Sequence, residues 1–183
     1  ACITLAIHLI LLHKTGHYML CLLTLFILAL CVGFLCHNAP PARIYLGDAG
    51  SLLLGYSVAQ LSVLSTYYRE GDSVTTIAMP LLILAIPLYD VVTVMLIRFK
   101  TGQPFFKADR NHFSHRLLKL GLSTWQTLLT IGSLSLAMGL GALLLAHSSH
   151  LETLIILIES GLIFLVIIIL EKAGDKSTQT SES

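Results

Sequence analysis

The first polar segment of this sequence, HNAPPARIYLGDAGS at residues 37–51, places an Asp among glycines in a chain that is otherwise mostly apolar. Gly47 and Gly50 allow the backbone to approach a ligand closely on either side of Asp48. We expect Ser51 to open the next helix, whose N-terminal amides favour an anion. Mg²⁺ takes one or two carboxylates and otherwise binds water and phosphate oxygens. The segment therefore predicts a magnesium-assisted phosphate site; the alternative is that Asp48 merely caps a helix and the glycines merely form turns.

The second polar segment, RFKTGQPFFKADRNHFSHRLLKLGLS at residues 98–123, contains two histidines three positions apart. Asn111 or Asp109 can cap a short helix, on which His112 and His115 would emerge from one face. Paired imidazoles next to cations are suited to holding phosphate oxygens. The spacing also fits half of a zinc site, but no Cys, third His or H-E-x-x-H companion accompanies it.

Basic residues surround this histidine pair. Arg116 and Lys119 repeat the spacing of the histidines one turn further on, and Arg110 precedes them. Such a cluster can bind a diphosphate. The alternative is a basic helix that lies on anionic lipid headgroups, which explains the cations but leaves the paired histidines unexplained.

Two acidic residues lie inside apolar runs, where an ionisable side chain is costly and is therefore a candidate for function. Asp90 follows Pro87 and lies two to three turns from the second polar segment, close enough to support a site there. For Glu159 we favour a hydrogen bond in helix packing.

Composition sets the class of protein. Hydrophobic residues make up 55% of the 183 residues, charged residues 11%, and the mean hydropathy is +0.84. The net charge of +1 gives no signal for nucleic acid. A membrane-spanning helix needs about 20 apolar residues, so we predict an all-α polytopic membrane bundle of about six helices. The apolar runs are 1–12, which is short, 18–36, 52–68, 74–97, 125–146 and 151–170.

The basic residues also predict an orientation. If the runs alternate in direction, nine of the 11 Lys and Arg fall on one side of the membrane, and Lys14 and Arg69 fall on the other. By the positive-inside bias the first side is cytoplasmic. Both polar segments then face the cytoplasm, as a single composite site would require.

The ends of the chain predict its organisation. It has no initiating Met and opens on the short run 1–12, so we expect a C-terminal part of something longer, with residues 1–170 as the membrane part of one domain. Residues 171–183 are polar and small, which predicts a disordered cytoplasmic tail. We expect the four cysteines to be buried packing residues.

Three motifs in this order carry a resemblance to a known family. They are N-A-P-P-A-R-I-Y-L-G-D-A-G-S, then P-L-Y-D in a membrane helix, then A-D-R-N-H-F-S-H-R-L-L-K-L-G. The chain resembles the polyprenyl-phosphate N-acetylhexosamine-1-phosphate transferases of glycosyltransferase family 4. The resemblance implies transfer of a sugar-1-phosphate from a UDP-sugar to polyprenyl (undecaprenyl) phosphate, with Mg²⁺ or Mn²⁺ and release of UMP. It implies a bacterial plasma-membrane enzyme of cell-wall or surface-polysaccharide synthesis.

Residue by residue, the resemblance implies that Asp48 holds the metal and that His112 and His115 belong to the catalytic histidine motif. It places Asn38, Tyr45 and Gly47 at the uridine, and Asp109 and Arg110 near the diphosphate. The substrate-binding residues that we predict are Asn38, Tyr45, Gly47, Ser51, Asp109, Arg110 and Arg116.

The sequence also departs from the family. Members carry an adjacent Asp pair and an Asn-x-x-Asp-Gly loop upstream, and neither occurs in these residues. We therefore expect this chain, expressed alone, to lack transferase activity. Ser114 stands where many members have another His. The D-R-N-H arrangement favours an N-acetylhexosamine phosphate donor over the alternative within the family, a phospho-muramoyl-pentapeptide.

Other functions stay open. A membrane transporter would require polar residues along a path at mid-bilayer and two related halves. A structural membrane subunit with a lipid-binding basic loop would tolerate loss of both histidines. The residues leave open whether the mechanism has one step or two, and whether the chain forms a homodimer.

Overall fold

The computed structural model describes residues 1–66, 73–102, 104, 112–146 and 148–181. These residues form eight helices and, within the described part, no strand. The helices are α1 (Cys2–Lys14), α2 (Tyr18–Asn38), α3 (Gly47–Thr66), α4 (Ser73–Ile83), α5 (Ala85–Thr101), α6 (Phe113–Lys119), α7 (Thr124–Leu145) and α8 (His150–Ser181). The predicted all-α class is confirmed.

Three helices of the described residues are long and apolar enough to cross a membrane: Tyr18–Asn38, Thr124–Leu145 and His150–Lys172. On α2 the side chains of Leu22, Phe26 and Leu30 are exposed. Apolar side chains on the outside of a helix of this length are typical of a lipid-facing surface. The helical membrane bundle is thus confirmed, whereas the count of about six spans stays a prediction.

The apolar run 74–97 consists of two helices, because the helical backbone is interrupted at Leu84. Pro87 explains the interruption. It has no N–H to donate to the carbonyl of Ile83, and its ring would clash with that carbonyl in a continuous helix. Pro87 is instead accommodated in the first turn of α5, where amides have no intrahelical partner.

The chain forms two compact units. The first comprises residues 1–84 and 135–148. In it α1 packs against α2 and α3, and the core contains Leu5, Leu12, Val58 and Leu61. The fully buried His8 links two of these helices, because its Nε2 lies 2.8 Å from the hydroxyl of Ser62 on α3.

The second unit comprises residues 85–134 and 149–183. Its core contains Ile86, Phe113, Leu117 and Ile167, contributed by α5, α6 and α8. The short helix α6 therefore rests on two longer ones. The backbone of α8 continues as helix to Ser181, through most of the segment 171–183 for which the sequence predicts disorder.

Candidate functional site

The loop between α2 and α3 carries the first polar segment, and it folds back on the end of α2. The Arg43 N–H donates to the His37 carbonyl at 2.9 Å. The side-chain amide of Asn38 donates to the carbonyl of Ile44 at 2.8 Å. One side-chain nitrogen of Asn38 therefore holds the loop. Its predicted contact with a uridine stays a prediction.

Asp48 lies in the first turn of α3, which begins at Gly47. The expectation that Ser51 opens this helix is wrong by four residues. Gly47 has a φ of 67°, which L side chains rarely adopt, so the chain can turn directly into the helix there. An acidic side chain in the first turn is favoured by the free amides. The Ser51 hydroxyl instead donates to the Asp48 carbonyl at 3.0 Å.

Packing against Leu46 leaves no room for a side chain at Gly50, the second glycine of this segment. A Cβ at Gly50 would lie 2.8 Å from Cγ of Leu46, which is closer than real Cβ contacts allow. The side chains of Asp48 and Tyr45 are exposed, and 82% of Tyr45 is accessible. The phenol of Tyr45 is thus exposed in the loop, and the carboxylate of Asp48 is exposed in the first turn of α3.

No group of three or more metal-ligating side chains occurs in the part of the chain that the structure describes. Asp48 alone nevertheless fits a magnesium ion, since Mg²⁺ uses one or two carboxylates and takes its other ligands from water and substrate phosphates. Asp48 is an exposed carboxylate that could supply one such ligand. The neighbouring N-terminus of α3 would favour the phosphate that supplies others.

The histidine motif is arranged differently from the expectation. Helix α6 begins at Phe113, and His112 is its N-cap residue in extended conformation, with a ψ of 150°. Only His115 is on the helix. Asp109, Arg110 and Asn111 lie outside the described residues. The predicted caps, Asp109 and Asn111, are thus replaced by His112, whose side chain makes no capping hydrogen bond.

Asp90 of α5, which is distant in sequence, accepts the capping hydrogen bond at the start of α6. Its Oδ1 accepts the backbone N–H of Phe113 at 2.5 Å. Its Oδ2 lies 3.0 Å from Nδ1 of His112. The His112 side chain is 50% exposed and that of Asp90 27%. Both carboxylate oxygens are therefore used to fix the start of α6.

Arg116 lies in a less exposed cluster on the same unit. Its guanidinium donates from Nη2 to the Thr93 hydroxyl at 2.8 Å, and its Nε lies 3.1 Å from Oε1 of Glu171. The latter contact is an ion pair without hydrogen-bond geometry. The Tyr89 hydroxyl donates to the other Glu171 oxygen at 2.8 Å. These contacts connect α5, α6 and α8.

Aromatic rings complete this cluster. The guanidinium carbon of Arg116 lies 5.7 Å from the centre of the Tyr89 ring and 5.8 Å from that of Phe113. Phe164 stacks on Tyr89 at 5.2 Å. Arg116 is thus held by protein groups, and its predicted contact with substrate stays a prediction. His115, by contrast, is exposed on α6.

The structure therefore brings Asp90, His112 and Arg116 together around α6, and it places Asn38, Tyr45, Gly47, Asp48 and Ser51 on the other unit. Sequence reasoning missed Glu171, which it placed in the tail. The available signal was that this carboxylate directly follows an apolar run.

Comparison with known proteins agrees with these motifs. The profile of the family described as glycosyl transferase family 4 matches residues 1–66. A protein of Bacillus subtilis, named probable undecaprenyl-phosphate N-acetylglucosaminyl 1-phosphate transferase, is 33% identical over 156 residues. That match covers 85% of this chain and 41% of the relative.

Two further relatives carry similar names. The decaprenyl-phosphate N-acetylglucosaminephosphotransferase of Mycobacterium leprae is 33% identical over 55% of this chain and 28% of its own. The undecaprenyl-phosphate alpha-N-acetylglucosaminyl 1-phosphate transferase of Pasteurella multocida is 35% identical over 49% of this chain and 24% of its own. The chain thus spans less than half the length of these curated relatives. No solved structure gives a significant match. The resemblance to family 4 glycosyltransferases is confirmed.

Proposed function

We propose that this chain contributes the phosphate-handling part of a polyprenyl-phosphate N-acetylhexosamine-1-phosphate transferase. The reaction moves a sugar-1-phosphate from a UDP-sugar to a polyprenyl phosphate and releases UMP. The observation that carries the proposal is the histidine at the start of α6, whose ring is half exposed and oriented by a carboxylate from another helix. The relatives named above support it.

The chemistry divides between the two polar segments. Mg²⁺ bound at Asp48 would neutralise phosphate charge as it builds up on the departing UMP. His112 and His115, with Asp109 and Arg110, would hold phosphate oxygens by charge-assisted hydrogen bonds. Asn38, Tyr45, Gly47 and Ser51 would contact the nucleotide. The acceptor phosphate reaches the protein laterally from the bilayer.

The donor within this proposal is a UDP-N-acetylhexosamine. The names of the relatives specify N-acetylglucosaminyl 1-phosphate transfer, which favours this donor over a phospho-muramoyl-pentapeptide. The proposed location is a bacterial plasma membrane with both polar segments cytoplasmic, as the distribution of Lys and Arg favours.

The test uses the complete reading frame that encodes this chain, reconstituted in vesicles with undecaprenyl phosphate. Addition of radiolabelled UDP-N-acetylglucosamine and Mg²⁺ should give a labelled lipid and an equal amount of UMP. His115→Ala should lower the rate by about 10²-fold, the lower range for loss of a catalytic acid, base or electrostatic group.

His17→Ala is a matched control, because His17 is exposed at the N-terminus of α2 and makes no side-chain capping hydrogen bond. It should retain the wild-type rate. A wild-type protein that binds the vesicles but forms no labelled lipid would favour the structural-subunit alternative. A His115→Ala variant with full activity would contradict the proposed role of His115 in the reaction.

A further inference from the structure

We infer that Asp90 is a positioning residue that fixes which nitrogen of His112 carries the proton, so that Nε2 is presented to a substrate phosphate. This inference rests on the proposed function. Two contacts of the Asp90 carboxylate, one with the His112 ring and one with the Phe113 N–H, connect α5 to the start of α6.

The two oxygens of Asp90 meet two different donors. Oδ1 accepts the Phe113 N–H, and Oδ2 lies 3.0 Å from Nδ1 of His112. An ionised carboxylate has no hydrogen to donate. Nδ1 of His112 must therefore carry the hydrogen, and in the neutral ring Nε2 is then the nitrogen with a free lone pair.

Neighbouring contacts hold this geometry in place. Phe113, directly after His112, is buried at 2% exposure against Ile86 and Leu117, so the backbone of α6 cannot easily turn. On α5, Tyr89 donates to Glu171, and Thr93 accepts from Arg116. The helix turn that carries Asp90 is therefore tied to α6 and α8 on both sides.

The exposed part of the His112 ring follows from this arrangement. Nε2 has no hydrogen-bond partner among the residues that the structure describes, and half of the side chain is accessible. Nε2 can accept a proton from a phosphate group, or donate to a phosphate oxygen once it is protonated. An orienting carboxylate behind a histidine is a recurrent way to fix its tautomer.

Asp90→Asn separates orientation from capping. The amide carbonyl can still accept the Phe113 N–H, so α6 keeps its cap, but the amide NH₂ then faces Nδ1 of His112. Because a backbone N–H cannot become an acceptor while an imidazole can, the ring should switch to the tautomer with hydrogen on Nε2. The variant should thus fold normally, with the hydrogen of the His112 ring on Nε2 in place of Nδ1.

The experiment measures the His112 tautomer by ¹⁵N NMR of histidine-labelled complete protein, together with transferase kinetics. In the wild type, Nδ1 should carry the hydrogen. Asp90→Asn should reverse this and lower kcat by roughly 10²–10⁴-fold, the usual range for general acid–base catalysis, with a much smaller change in KM. Glu159→Gln, the corresponding acid-to-amide change at an exposed acid in the apolar part of α8, should alter neither.

Each outcome has a distinct meaning. A wild-type His112 with its hydrogen on Nε2 overturns the inference without need of any variant. An unchanged tautomer in a folded Asp90→Asn protein, or a reversed tautomer with normal kcat, also overturns it. If the wild type shows no transferase activity, the proposed function fails, whereas the tautomer measurement still tests the role of Asp90.

Discussion

Nε of Arg116 lies 3.1 Å from Oε1 of Glu171, and only 14% and 15% of these side chains are exposed. The two charges join the histidine-bearing helix α6 to α8. A basic residue next to a histidine motif invites a role in substrate binding, but this guanidinium is already engaged by a carboxylate, a hydroxyl and two aromatic rings. Loss of the Arg116 side chain should therefore mainly lower the stability of the second unit.

Glu171→Ala should destabilise the protein by about 3 kcal/mol, the low end for breaking a buried ion pair, because the Arg116 charge is left unpaired. Arg116→Ala should cost a similar amount, and the double variant should cost less than the sum. Equilibrium unfolding in detergent measures these changes. Arg116→Lys should not restore stability, since an ammonium cannot reproduce the planar contacts.

Strictly additive losses in this cycle would mean that the two side chains do not interact. In that case Arg116 would return as a candidate for substrate binding. A raised KM for the UDP-sugar in Arg116→Ala, absent in Glu171→Ala, would support that role.

Gly47→Ala should destabilise the start of α3 by about 1–2 kcal/mol, because a Cβ is strained at a φ of 67°. Gly55→Ala in the same helix is the control. A Cβ there meets nothing within 4 Å, so the substitution should be neutral or stabilise by about 0.5–1 kcal/mol. Thermal unfolding of both variants measures the difference in stability. Equal effects would contradict the positive φ of Gly47 at the start of α3.

Gly139→Ala should destabilise the first unit by about 1–3 kcal/mol, the usual cost of overpacking. Its Cβ would lie 2.7 Å from Cγ1 of Ile7, which is buried. The double variant Ile7→Ala/Gly139→Ala should cost less than the sum of the two single changes, because truncation of Ile7 removes the atoms that the new Cβ would meet. Gly33→Ala on α2, where nothing lies within 4 Å, is the control and, like Gly55→Ala, should be neutral or stabilise slightly.

Hydropathy was enough to predict the helical membrane class and to locate the two polar segments between the apolar runs. The limits of the helices were harder to predict. The apolar run 74–97 is interrupted at Leu84, since Pro87 removes a backbone donor that hydropathy does not register. Helix α3 begins before Ser51 because the positive φ of Gly47 already turns the chain.

In the candidate site, the sequence predicts the local helix but not the contacts with residues that are distant in the chain. Sequence spacing predicts a short helix that carries both His112 and His115. The structure has the helix, but only His115 lies on it and His112 is its N-cap residue. The sequence also predicts a local cap from residue 109 or 111, whereas the cap comes from Asp90, 23 residues before the amide it accepts. The pairing of Arg116 with Glu171 likewise depends on packing between α6 and α8, which no local pattern encodes.

The most direct measurement is the turnover of the complete protein carrying Asp48→Asn, assayed as polyprenyl-phosphate-dependent UMP release over a range of Mg²⁺ concentrations. If Asp48 holds the metal at the reacting phosphates, kcat should fall by roughly 10²–10³-fold, the range for removal of one electrostatic group, and saturating Mg²⁺ should not restore it. An Asp48→Asn protein that is folded and turns over at the wild-type rate, with an unchanged magnesium requirement, would contradict this role of Asp48.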